Sequence, residues 1–120
     1  MELLILAEYM ELIKEISSTQ KAALEYLVSK ANLDLPNDWN STLFVKQMDD
    51  GGMGSFMIFQ HRAEFNLVRK FGRQASDYQF NDADGIPVLV TLNVDTENRL
   101  LEVDIWKANY SPVINFKIPD

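Results

Sequence analysis

Carboxylates beside glycines are the residues of this chain with the most evident chemical use. Asp49 and Asp50 precede Gly51-Gly52, and Asp82 and Asp84 precede Gly85. A hard cation needs several oxygen ligands converging on it, and Asp82, Asp84, Asp95 and Asp104 could in principle join Asp49 and Asp50. Asp and Gly are equally the residues from which turns are made, and 82–85 lacks the length and terminal Glu of an EF-hand loop. A phosphate cradle would add a helix N-terminus or a lysine, and neither follows Gly51-Gly52. His61 is the single histidine, and its spacing to Ser55 and the aspartates forms no nucleophile–base–acid pattern. The Asp-Gly stretches are therefore expected to be turns, with no catalytic residue, cofactor site or metal ligand assigned. A small-molecule or metal-dependent enzyme using these loops stays as one alternative, and a structural or regulatory domain of unknown partner as another.

The second candidate is a surface. Thr91, Asn93, Glu102 and Asp104 alternate with apolar residues, neighbour Leu89 and Trp106, and are followed by Lys107. Acids around a large aromatic suit a protein interface, where aromatic anchors carry binding energy and charge steers encounter. These residues, with Asp49 and Asp50, are the candidate partner-binding set. The competing expectation is that Tyr110 or the C-terminal segment covers Trp106. Arg62, Arg69, Lys70 and Arg73, the only basic run, are expected on a solvated face.

A β-hairpin must position that surface. Ile86, Val88, Val90, Leu92 and Val94 alternate with polar positions, and Leu101, Val103 and Ile105 do so again after 95–99. A four-residue loop, Thr96 to Arg99, would pair Val94 with Leu101, Leu92 with Val103 and Val90 with Ile105. Asn93, Thr91 and Leu89 would then face Glu102, Asp104 and Trp106. All apolar pairs share one side, and a one-residue slip would turn that row into water. A preceding strand over 71–81 joins through a three-residue loop with Gly85 left-handed, which pairs Phe80 with Val88 and Tyr78 with Val90.

Upstream, 43–48 and 55–59 read as short strands, and 61–70 fits a short helix or a loop. Leu3, Leu6, Met10, Ile13 and Ile16 predict an amphipathic helix over 2–16. Ser17 with Gln20 has capping-box form, so a second helix is expected over 18–32, with Ala23, Leu24, Leu27, Val28 and Ala31 inward. Val113, Phe116 and Ile118 should dock on the core. The sum is one α+β domain over 1–120, with N-terminal helices packed on a mostly antiparallel sheet of about five strands. Residues 1–16 form an extra helix, and Met10 is a possible start that would make 1–9 an extension.

The chain has 120 residues, 47% hydrophobic, with no cysteine, so disulfides and thiolate chemistry are excluded. Eighteen acids against eleven bases, net −7, disfavour nucleic acid as a partner. The apolar run Leu3 to Ala7 is short, lacks a positive n-region and is flanked by acids, which argues against a signal or a membrane span. The expected location is cytoplasmic.

Four motifs, M-D-D-G-G-M-G-S (48–55), D-A-D-G-I-P-V (82–88), L-N-V-D (92–95) and L-x-E-V-D-I-W-K-A-N-Y-S-P (100–112), resemble a family of small, uncharacterised bacterial cytoplasmic domains. The resemblance covers about 17–119 and brings no catalytic assignment. It differs at Asn109, where family members tend to carry an acid. Some look-alikes are encoded beside polymorphic or contact-dependent toxins as immunity proteins. The resemblance, the acidic balance and the absent catalytic constellation make the expected function immunity: binding and neutralising a toxin domain through an acidic surface, which a basic toxin domain would suit.

Overall fold

A computed structural model describes residues 8–120 of the chain. Its strands are β1 (Ile13–Glu15), β2 (Phe44–Gln47), β3 (Phe56–Phe59), β4 (Phe71–Asn81), β5 (Pro87–Asp95) and β6 (Leu100–Lys107). They form one six-stranded sheet in the order β1-β2-β3-β6-β5-β4, and every pairing is antiparallel. One α-helix, α1 (Ser18–Lys30), and a 3₁₀ turn over Arg62–Asn66 complete the regular structure among the described residues, apart from a helical stretch at 8–11. The protein is α+β as expected, with six strands rather than about five.

The extra strand corrects the predicted first helix. Residues 1–7 lie outside the described residues, and 8–11 are helical, but Ile13–Glu15 pairs with β2. The N–H of Ile16 extends that pairing by donating to Leu43 O at 3.1 Å. An unpaired β2 edge offers backbone partners that a helical turn here would forgo, and β-branched Ile13 suits the pleat. Helical spacing over so short a stretch loses to that tertiary pairing. The second helix begins as expected. Gln20 N donates to Ser17 Oγ at 3.1 Å, and Ser17 N donates to Gln20 Oε1 at 3.0 Å, a complete capping box.

Ala23, Leu24 and Leu27 of α1 are fully buried, and both leucines join a cluster with Val45, Phe56, Ile58, Val90, Leu92, Val103 and Ile105. These strand residues share one face of the sheet because side chains alternate across the pleat. On the other face, Phe65 meets Phe44 and Phe59 edge-on at 5.3 and 5.4 Å. Arg69 corrects the solvated-face expectation for its run. Its side chain is buried, stacks 4.9 Å over Phe59, donates to Leu100 O and Ile58 O, and lies 3.6 Å from Glu64. A guanidinium suits that position because its planar donors satisfy two strand carbonyls while its face covers a ring.

The hairpin register holds from Asn93–Glu102 to Leu89–Trp106, with one correction at its tip: Val94 faces Leu100, not Leu101. The loop is three residues, closed by Asp95 N–H to Arg99 O at 2.9 Å, with Asn98 left-handed at φ 62°. A bulge then restores the expected pairing. Asp95 is the cause. Its buried carboxylate accepts the N–H groups of Glu97 and Arg99 and pairs with Arg99 Nε at 2.8 Å. The β4–β5 loop is as expected, with Tyr78 opposite Val90, Phe80 opposite Val88 and Gly85 at φ 79°.

Candidate functional site

The second face of β5 and β6 carries the polar set that alternation places there. Asn93 sits between the two acids of β6, its amide donating to Glu102 Oε1 at 3.2 Å and to Asp104 Oδ2 at 3.1 Å. Thr91 and Asn93 are buried and the two acids half-buried, which corrects the expectation of an openly solvated face. β5 is flanked by strands on both sides, so short side chains on it are covered by their longer neighbours. Burial raises the carboxyls of Glu102 and Asp104 above the ordinary range. The Asp104 charge adds to the effect on Glu102, the Asp50 charge adds to that on Asp104, and the Asn93 amide opposes both. Among the described residues neither acid has a cation within ion-pair distance.

Trp106 lies on the same face, 44% exposed, with the more exposed Tyr110 edge-on at 5.9 Å between ring centres. Tyr110 supports the indole without covering it. Asp49 is exposed, whereas Asp50 turns back to its own loop and accepts the N–H groups of Met53, Gly54 and Ser55. Burial pushes the Asp50 carboxyl up, but those donors outweigh it and the net shift is downward.

Lys107 is the candidate that the structure moves furthest. Its side chain is completely buried, on the inner face with Val103 and Ile105. Nζ donates to Asp82 Oδ2 at 2.8 Å, to Asp84 Oδ2 at 2.7 Å and to Pro112 O at 3.3 Å. Asp82 also accepts the N–H groups of Ala83, Ile114 and Asn115. Desolvation works against its charge, but the donors and the ammonium hold Asp82 far below the usual carboxylate range. The Asp-Gly stretch thus clamps the C-terminal segment to the end of β6, and Lys107 offers no surface to a partner. Among the described residues no group of three His, Cys, Asp or Glu side chains is placed to hold a metal.

Alternation along β6 was a signal for this clamp, since Val103, Ile105 and Lys107 stand two residues apart and share a face. The comparisons with known proteins add one finding. No curated protein and no solved structure matches the chain. A family model described as a domain of unknown function, DUF6984, matches residues 13–117, from β1 into the C-terminal segment, and the chain belongs to that family.

Proposed function

We propose that this is an interaction protein: a bacterial, cytoplasmic immunity protein that neutralises a basic toxin domain by occupying its active surface. One observation carries this. Glu102 and Asp104 are half-buried acids, bridged by Asn93 and, among the described residues, without a cation within ion-pair distance, the nearby Arg69 being paired with Glu64 instead. Two neighbouring carboxylates in a poorly solvated position gain from a partner's lysine or arginine, which would relieve their repulsion and replace lost hydration. Exposed Trp106 beside them is suited to anchor the same partner. The net charge of −7 adds long-range attraction to a basic cleft.

The test begins with the gene's neighbourhood, where this reading requires a toxin domain; that domain is co-expressed with this chain, and binding kinetics are measured at two salt concentrations. Glu102→Lys with Asp104→Lys should abolish protection and slow association most at low salt, while Trp106→Ala should speed dissociation. Full protection by a folded variant carrying all three substitutions, with unchanged kinetics, would remove this face from the interaction.

A further inference from the structure

The helix side of the sheet holds a cavity of about 280 Å³ that neither the clamp nor the acidic face uses. Phe56 and Ile105 form its floor, Ala23 of α1 one wall, and Val113 and Phe116 of the C-terminal segment another. Gly52, Met53 and Gly54, from the loop before β3, close another side. Walls drawn from this many segments make a cup rather than a groove. We propose that this cup binds a small uncharged molecule with an apolar body the size of one aromatic ring and a single amide or hydroxyl edge.

The size comes first. Ligand pockets run from about 300 to 1,000 Å³, so this cup admits one ring with a short substituent and little more. Charge comes next. In a chain of net −7, none of the lining residues is ionisable. An ionic ligand would lose its hydration and meet no opposite charge.

The polar edge follows from the rim, formed by Thr19, Gln20 and Gln47. Gln20 Oε1 is held by the N–H of Ser17, which fixes the side chain and leaves its amide NH₂ as a donor. The Thr19 hydroxyl both donates and accepts, so the rim complements an amide or a hydroxyl.

Small residues and a tethered wall keep the space open. Ala23 borders the cavity and is itself fully buried, so a larger side chain there would have to displace packed neighbours or push toward the cavity. A Cβ on Gly54 would meet Ile105 Cδ1 at 3.5 Å, an ordinary contact, and would occupy space that the glycine leaves open. The wall carrying Val113, Ile114 and Phe116 is tied down where Ile114 and Asn115 donate to Asp82, each at 2.8 Å. A wall held this way is organised before any ligand arrives, which lowers the cost of ordering on binding. The cup lies across the sheet from Glu102 and Asp104, so its fate and that of the acidic face are independent.

The experiment is an NMR titration of the full chain with three probes of one shape: phenylacetamide, phenylacetate and phenethylammonium. Phenylacetamide should give saturable shifts at Ala23, Ile105, Val113 and Ile114, and the two ions should bind at least about tenfold more weakly. Ala23→Leu should fill the cup and remove the response. Should that variant fail to fold, Ile114→Glu decides, because Ile114 is 64% exposed at the mouth and tolerates a charge. Ile114→Glu should weaken phenylacetamide and turn the preference toward phenethylammonium. Equal binding of all three probes overturns the proposal, as does an unaltered response in Ile114→Glu. A parent cup that ignores all three, as one shaped for a partner protein's side chain would, overturns it as well.

Discussion

Gly72→Ala tests the sheet edge in a way that no core truncation can. Gly72 lies in β4, and a Cβ added there would stand 2.5 Å from the carbonyl carbon of Asp95, closer still to its oxygen, and 2.9 Å from Thr96 N. Ordinary contact begins near 3.4 Å, so the two strands must part by about 1 Å. Nothing nearby yields easily. Phe71 pairs with Asp95, Thr96 N donates to Lys70 O at 3.1 Å, and the Asp95 carboxylate holds the turn. Overpacking costs about 1–3 kcal/mol, and losing the Thr96 hydrogen bond adds about 1 kcal/mol. The expected loss is about 2–4 kcal/mol, or roughly 8–16 °C in Tm at about 4 °C per kcal/mol. Gly51→Ala is the control. Its φ is 75° and nothing lies within 4 Å of the added Cβ, so only backbone strain of about 1 kcal/mol applies. Melts by circular dichroism and urea midpoints measure both variants. If Gly72→Ala melts at or above Gly51→Ala, the close approach of β4 to the hairpin tip is wrong.

Val90→Asp and Val103→Asp each place a carboxylate at a fully buried position; even neutralised it costs at least about 2–4 kcal/mol, and Tm by circular dichroism should fall by at least about 8–16 °C. Gly85→Val adds β-branched strain at φ 79° and should melt below Gly51→Ala, since strain there is on the order of 1–2 kcal/mol before branching is counted. The raised carboxyls of Glu102 and Asp104 mean that the folded state keeps their protons better than the unfolded chain, so these groups favour folding in acid and oppose it increasingly as pH rises through the folded value. Glu102→Gln should accordingly raise Tm at neutral pH, with the gain vanishing below about pH 4, where both states are protonated; no gain at pH 7 would contradict the burial of this pair. Lys107→Met strips Asp82 of its cation, and hydrogen exchange at Ile114 and Asn115 should quicken by about tenfold or more while the β5–β6 amides stay protected longer.

Local chemistry wrote much of this fold into the chain. The alternation along 88–94 and 101–105 leaves one register that buries every apolar pair, and the observed pairs from Leu92–Val103 to Leu89–Trp106 follow it. Ser17 and Gln20 start α1 through bonds between residues three apart, and Gly85 takes the left-handed position that the β4–β5 loop requires. Each of these depends on neighbours in sequence or on a pattern long enough to exclude its rivals.

Tertiary structure decided the rest, wherever two local patterns competed or the decisive partner lay far along the chain. Ile13–Glu15 became a strand because the β2 edge, thirty residues on, supplied backbone partners. The hairpin tip took a shorter loop and a bulge because the Asp95 carboxylate binds two N–H groups and Arg99 at once, which periodicity does not register. Lys107 shows the limit best. Alternation puts it inward, but a buried ammonium is tolerable only with countercharge at hand, and Asp82 and Asp84 arrive from another turn of the chain. The acidic pair on the outer face was legible as residue types at strand spacing. Its half-burial, the Asn93 bridge and the lack of an ion-pair partner among the described residues came only with the packed sheet, because desolvation belongs to the assembled surface and not to any one segment.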